Sequence, residues 1–407
     1  MNETYGIFKK FANDNHYVSF AKNVSSAHTT KATKATLKRL HDEFGHYSQL
    51  VIHNGICYVC FVNNVGGRGD NELLPTIVLT QAVFPLDRVL SDDFDYKKDV
   101  KLHRFGGVGD TFAGHKALSS MNNHSMILVG DLIYTTFAFL SENENQWSTF
   151  VSVYDTNKKE YVRECEMKLS YKGKVVPFNE DAINNIYGSR LYSRRTQKGV
   201  VPFGNRWCEY NGEYYTTINE SLIGEVNNGI IIKTKDFETV EFVSFIPENK
   251  MGNAETAIYI FDNKLYLACR QLWGTPYLLL SRYDFEAQEW KEPYKIEDGN
   301  ARPWFFEYRD ELYLFNTIED VGEGRRFSNI SKIRTRKGAH NIRNSPVDVV
   351  ATLFECGHHY SCFVYNDKIY FSCSLTSNNR VHFGELKLKQ YSPEKINDKL
   401  IELFGEE

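Results

Sequence analysis

The chain reads as an all-β protein: a six-bladed β-propeller whose ring is closed by an N-terminal strand and followed by a short C-terminal helix. Three observations predict this. First, an apolar strand, a two-residue turn and a second strand with Tyr as its third residue recur six times. The copies are LVIHNGICYVCF around Tyr58, MILVGDLIYTTF around Tyr134, WCEYNGEYYTTI around Tyr215, AIYIFDNKLYLAC around Tyr266, WFFEYRDELYLFN around Tyr313 and CFVYNDKIYFSC around Tyr370. Second, the later copies are roughly 50 residues apart and the first intervals are near 80, which leaves room for insertions. Self-similarity at about 40–50 residues with several strands per unit marks a propeller, because one sheet cannot bury both of its faces until its neighbours stack on it. Third, the ends complement each other. Tyr17–Asn23 reads as an orphan strand, and the last unit offers three runs, His359–Tyr365, Lys368–Leu375 and Val381–Leu388.

The elements follow in order. Lys31–Phe44 has helix-like composition and is expected to cross from the orphan strand to the axis. The fourth unit shows the pattern most clearly. Thr256–Phe261 and Leu265–Arg270 flank Asp262-Asn263, a pair that closes hairpins; Tyr277–Tyr283 follows after Gly274 and Pro276, and Asp284 to Trp290 turns the chain again. After the last unit, SPEKINDKLIELF predicts a helix with Ser392 as N-cap, Pro393 at its first position and Ile396, Leu400 and Leu403 on one face. No linker divides the chain, so residues 1–407 are read as one domain.

Composition bounds the function. The 407 residues are 42% hydrophobic and 25% charged, the balance of a globular protein. A net charge of −4 supplies no basic field for nucleic acid. No apolar run approaches the roughly 20 residues of a membrane span. MNETYGIFKKFANDN shows no signal peptide, which leaves a cytoplasmic protein or an exported one without its leader. Cys57 and Cys60 have CxxC spacing, but both lie in an apolar run with no second pair, so they read as core thiols and not as half a zinc site. The Gly-rich stretches Gly66–Asp70 and Gly106–Gly114 open no helix after a strand, so phosphate binding is not expected, and no cofactor is implied. Arg68-Gly69-Asp70 spells an adhesion tripeptide too short to carry a function. Aromatics at 14% suit strands and equally a saccharide-binding surface.

In a propeller the innermost strands run the same way and start around one funnel. His46 precedes the first strand containing the Tyr58 hairpin, His124 that of Tyr134 and Arg206 that of Tyr215. Glu255 precedes Tyr266, Arg302 precedes Tyr313, and His358, His359 and Tyr360 precede Tyr370. One polar residue at a strand start is an ordinary solvated end; a whole ring aimed at one axis suggests a site. Arginine forks suit carboxylates, so an acidic ligand is favoured.

The order and spacing of these residues resemble the sialidase (neuraminidase) superfamily of six-bladed propellers. In that family a blade begins with a Glu, and an Arg follows about 15 residues later; Glu255 and Arg270 match. GRRFSNISKI resembles the next arginine signature, with Arg325 or Arg326 in its place, and HHYSCFVYNDKIYF resembles the motif of the nucleophilic tyrosine, at Tyr360. Asp70 stands 24 residues after His46, at the offset of the family's acid/base Asp from its first arginine. The similarity spans about residues 44–375. Two departures stand out. GHYSQLV puts His46 where the family has its first clamp arginine, and SRYDFEAQEW keeps Ser281, Asp284 and Trp290 of the family's structural Asp-box turn but lacks its Gly and Thr.

The resemblance implies a retaining exo-glycosidase acting on a terminal acidic sugar, with an acidic oligosaccharide or glycoconjugate as partner. Tyr360 would be the nucleophile, deprotonated by Glu255; a phenol suits an anionic substrate that repels a carboxylate. Asp70 would protonate the leaving oxygen. Arg270 with Arg325 or Arg326 would hold the substrate carboxylate, and His46 would complete the clamp or bond a hydroxyl. Each has a plain structural alternative: a core aromatic for Tyr360, a loop charge for Asp70, an edge ion pair for Glu255 with Arg270, and a surface pair for Arg325 and Arg326. His124, Arg206 and Arg302 rank second. Two other functions stay open: a polysaccharide lyase acting on uronic-acid glycans through His and Tyr, and a non-catalytic glycan-binding propeller.

Overall fold

A computed structural model describes residues 38–65, 75–119, 122–187, 206–218, 229–247, 253–271, 277–291, 293–297, 299–320, 324–335, 347–353, 357–375 and 381–386. Six antiparallel hairpins nucleate six sheets, as the repeat requires. In each, the repeat tyrosine pairs with the inner-strand residue seven positions before it: Val51 with Tyr58, Ile127 with Tyr134, Cys208 with Tyr215, Tyr259 with Tyr266, Phe306 with Tyr313 and Phe363 with Tyr370. The turns fix that register. Asn54-Gly55, Asn211-Gly212, Asp262-Asn263, Arg309-Asp310 and Asn366-Asp367 all have both central residues at positive φ, the conformation that matches the twist of a tight hairpin.

The blades, from axis outward, begin with blade 1 at Phe44–His53, Ile56–Asn64, Ile77–Pro85 and Lys101–Gly107. Blade 2 is Asn122–Val129, Leu132–Ser141, Gln146–Asp155 and Glu160–Glu166. Blade 3 runs Cys208–Tyr210, Glu213–Ile218, Ile230–Thr234 and Thr239–Phe245, extended by Lys168–Tyr171 and Lys174–Pro177. Blade 4 is built on Asn253–Phe261, Lys264–Gln271 and Tyr277–Asp284, blade 5 on Gly299–Tyr308, Glu311–Asp320, Gly324–Ile333 and Val347–Leu353. Blade 6 has Gly357–Tyr365, Lys368–Leu375 and Val381–Leu386.

The outer edge of blade 6 is covered by Lys38–Arg39, which pair with Phe383 and His382. The N-terminal part of the chain thus joins the last blade through these residues. The expected helix does not reach them, because an exposed sheet edge offers its unpaired backbone groups to any passing strand. Tyr17–Asn23, residues 31–37 of that expected helix and the C-terminal helix lie outside the described residues, while residues 40–43 are not helical and Phe44 already opens blade 1.

Buried layers between blades hold the ring together. Leu50, Val59, Phe61 and Phe84 of blade 1 pack with Tyr370, Val381 and Phe383 of blade 6, and Trp304, Phe306 and Phe315 of blade 5 pack with Tyr360, Cys362 and Phe371 of blade 6. Each such side chain contributes about 1.5–3 kcal/mol when fully buried. Cys57 and Cys60 are both buried in these layers, and burial pushes both thiols up, as expected of core cysteines. The altered Asp-box turn keeps its function: Asp284 accepts the amides of Glu286 and Ala287, and Ser281 Oγ donates to the Lys291 carbonyl at 2.7 Å. Asp155 caps the matching turn of blade 2 in the same way. Among the described residues no helix is long and apolar enough to cross a membrane.

Candidate functional site

The inner strands do not run smoothly to the axis. Five of them are interrupted near their start, with register shifts between His46 and Gln49, Asn122 and Ser125, Ala254 and Ala257, Asn300 and Trp304, and His358 and Ser361. Such a bulge releases residues from the ladder and re-aims their side chains. Tyr47, Glu255 and His359 occupy the first released position of blades 1, 4 and 6, at φ 57°, 43° and 56°. A left-handed non-glycine residue costs roughly 1–2 kcal/mol. Three blades therefore hold the same unfavourable conformation at the place where the sheets converge.

The side chains released by the bulges meet one another and the ladder residues beside them. The His46 and His359 rings are 4.1 Å apart, Tyr47 lies 4.1 Å from His46 and 4.3 Å from His359, and the Arg302 guanidinium sits 4.3 Å over the Tyr47 ring. The backbone amide of Arg302 donates to Glu255 Oε2 at 2.8 Å, and Arg270 Nη1 donates to the same oxygen at 3.0 Å. A continuous chain of contacts thus links blade 6 to blade 1, blade 1 to blade 5 and blade 5 to blade 4. Glu255 is 5% exposed, while the Arg270 side chain is 22% exposed. The carboxylate is therefore the inner member of the pair and the guanidinium its outer face. Inter-blade bonds fix the frame: Ser361 Oγ accepts the Leu50 amide at 2.9 Å, Ser48 Oγ donates to the His359 carbonyl, and Thr217 and Thr256 share a 2.6 Å hydroxyl bond.

The sequence candidates separate into groups. His46, Glu255, Arg270 and Arg302 come together, and Arg302, ranked second from sequence, is central. His124 is fully buried beneath them. It bonds the Cys60 carbonyl at 3.1 Å, and burial, then the Arg302 charge, drive its pKa down to about 3 against backbone bonds to Cys60 and Tyr47 that raise it. It is held neutral in the core against the Cys60 carbonyl. Arg206 is locked in the scaffold: it donates to the Phe305 carbonyl and lies over Tyr259 and Trp304 at 4.8 and 5.4 Å. Tyr360 is 2% exposed and its ring stacks on Phe315 at 3.9 Å, within the layer between blades 5 and 6. Arg325 pairs with Glu319 along the sheet, with Arg326 next in the strand; Asp70 lies outside the described residues.

Tyr47 was missed, although a signal for it exists. His-Tyr-Ser occurs twice, at His46–Ser48 and His359–Ser361. Counting back eleven positions from the repeat tyrosines Tyr58, Tyr266, Tyr313 and Tyr370 reaches Tyr47, Glu255, Arg302 and His359. The bulges select that frame. In blade 1 the tyrosine of the motif occupies the first released position, and in blade 6 the histidine before it does.

No protein-family model matches the sequence, and no curated protein matches it. Solved structures do. The sialidase of Trypanosoma rangeli in complex with 2,3-difluorosialic acid, a covalent intermediate, superposes with a TM-score of 0.55 at 12% identity, over 86% of this chain and 57% of that one. The same enzyme with sialic acid gives 0.52 at 12% identity, over 88% and 56%. The NanB sialidase of Streptococcus pneumoniae gives 0.50 at 9% identity, over 86% and 69%. The chain spans little more than half the length of the trypanosomal enzyme. At these identities the likeness is one of architecture: the chain has the six-bladed propeller fold of the sialidases and neuraminidases, in a divergent form.

Proposed function

We propose that the protein is a sialidase-type glycoside hydrolase that acts on a terminal acidic sugar at the axial cluster. One observation carries this reading: a buried carboxylate, Glu255, bonded at 3.0 Å to Arg270 and at 2.8 Å to the Arg302 amide, is tied through Arg302 to the cluster of Tyr47, His46 and His359 rings. Arg270 and Arg302 supply positive charge for a substrate carboxylate, and Glu255 is the base for a phenol. With His46 in place of an arginine, the carboxylate clamp has one fixed charge fewer, and protonated His46 restores it.

The attacking hydroxyl belongs to one of two tyrosines. Tyr360 holds the position that the sequence motif designates. Tyr47 is favoured by geometry, since its ring is half-buried in the axial cluster under Arg302, whereas the Tyr360 ring is part of the packed layer behind it. Asp70 remains the proposed acid/base. A screen of fluorogenic glycosides that includes sialic acid and uronic acids, with Tyr47→Phe and Tyr360→Phe beside the wild type, tests the reading. Turnover of an acidic glycoside that survives both substitutions removes the tyrosine mechanism.

A second reading draws on the His46–Tyr47–His359 contacts with Arg302 above Tyr47. Base, acid and a charge for neutralising a uronate are then all present, as a polysaccharide lyase needs. β-Elimination leaves an unsaturated, ultraviolet-absorbing product and hydrolysis does not, so product absorbance separates the two.

A further inference from the structure

We propose that His115, Glu144 and Glu166 form a binding site for a divalent first-row transition-metal ion, Zn²⁺ or Mn²⁺, on the rim of blade 2. The three come from separate pieces of chain. His115 stands on the short hairpin Thr111–Phe112 with His115–Lys116, in the connection from blade 1 to blade 2. Glu144 lies in the turn between Leu132–Ser141 and Gln146–Asp155, and Glu166 ends Glu160–Glu166. One donor atom from each falls within 4.8 Å of the others, and His115 Nε2 is 3.8 Å from Glu166 Oε2. Tetrahedral ligands about 2.0–2.2 Å from a metal stand roughly 3.4 Å apart, so these donors close on an ion with shifts of about an ångström.

The surroundings prepare the donors for that use. Ser141 Oγ lies 3.1 Å from His115 Nδ1, which orients the ring and turns Nε2 toward the carboxylates; metal-bound histidines are commonly held this way. Glu144 Oε2 accepts from Ser148 Oγ at 2.7 Å and from Asn179 Nδ2 at 3.2 Å. Among the described residues, Glu166 Oε1 is shielded from solvent and has no hydrogen-bond partner. Such an atom is costly to bury, and a cation relieves it. The nearby Lys116 is engaged at 3.0 Å with Glu142 instead.

The donor set narrows the ion. Ca²⁺ and Mg²⁺ take oxygen ligands, and an imidazole with two carboxylates suits Zn²⁺ or Mn²⁺. Three protein ligands leave a position open for water. Glu166 and Ser141 end their strands at the same end of blade 2 where His124 starts its inner strand. The ion would therefore pin the inter-blade hairpin to the rim on the side of the axial cluster.

The test is calorimetric titration of chelator-treated full-length protein with ZnCl₂ and with MnCl₂, alongside its thermal melt. The expected result is one saturable equivalent and a raised Tm. His115→Ala and Glu166→Gln should each weaken binding at least 100-fold, Ser141→Ala about 10-fold, and Glu142→Gln not at all. Circular dichroism shows that each variant folds, and the Co²⁺ spectrum of the wild type reads the ligand set without any substitution. Absence of saturable binding overturns the proposal. So does binding that survives both His115→Ala and Glu166→Gln, or a thiolate charge-transfer band in the Co²⁺ form.

Discussion

Arg302 reaches across the ring to cover Tyr47. Its guanidinium lies 4.3 Å above the phenol of blade 1, while its backbone amide holds the Glu255 carboxylate of blade 4 at 2.8 Å. One residue of blade 5 thus ties the aromatic wall of the axial cluster to its acidic wall. A guanidinium over an aromatic face contributes about 0.5–2 kcal/mol, more as water is excluded, and the amide bond sets where Glu255 can sit.

Tyr47→Phe keeps the ring under Arg302 and removes only the hydroxyl. If that hydroxyl reacts, kcat falls about 100-fold or more with little change in Tm. Tyr360→Phe should leave kcat within a few-fold of the wild type. The reverse pattern, measured on the same acidic glycoside, returns the nucleophile to Tyr360.

Glu255→Gln separates chemistry from binding. The amide keeps the shape of the carboxylate, but it cannot act as a base and no longer repels an acidic sugar. Turnover should drop about 100-fold while the Kd for an acidic sugar stays constant or tightens. A Kd that weakens more than about 10-fold would show that Glu255 orders Arg270 and Arg302 and takes no part in the chemistry.

The sequence carried the blades but not the frame of the bulges. Turn pairs such as Asn54-Gly55 and Asp262-Asn263 need left-handed residues, and the tyrosines beyond them pair at a constant offset, so both features recur visibly along the chain. Glu255 and Arg270 were readable together because each sits at the axial end of its strand. The choice between Tyr47 and Tyr360 was not readable. A one-residue shift moves a strand side chain to the other face, and in identical His-Tyr-Ser segments the bulge releases Tyr47 in blade 1 but His359 first in blade 6. The burial of His124 depends on packing from blades 1 and 5 that no local pattern reports. Lys38–Arg39 is a strand because of an edge hundreds of residues away.

His124 should make the fold acid-sensitive. Its pKa lies near 3 in the folded chain against an ordinary 6.5. Above about pH 6.5 both states are neutral there and no penalty arises. As pH falls toward the folded value, the unfolded chain takes up the proton first and stability is lost. The loss reaches roughly 2 kcal/mol at pH 5. His124→Gln, which can still donate to the Cys60 carbonyl, removes this component. Urea unfolding at pH 7 and pH 5 should therefore show a smaller pH difference in the variant; an equal difference would mean that His124 is not buried neutral.

Gly45 sits where blade 1 meets the closing blade, and the constraint on it is space. A Cβ there would stand 2.5 Å from His41 Nε2 and 2.9 Å from Val381 Cγ2. His41 has little freedom to yield, because its ring stacks on Phe61 at 4.5 Å and its Nε2 accepts the Val381 amide at 3.4 Å. Gly45→Ala should therefore destabilise by about 1–3 kcal/mol, the burden falling on the seam between blades 1 and 6. Gly55→Ala is the control, since it meets nothing within 4 Å and adds only the strain of a positive φ, about 1–2 kcal/mol. In Gly45→Ala, hydrogen exchange should quicken in Val381–Leu386 and Phe44–His53; in Gly55→Ala it should quicken around the Asn54-Gly55 turn alone. Uniform exchange in both variants would place the weakest seam of the ring elsewhere.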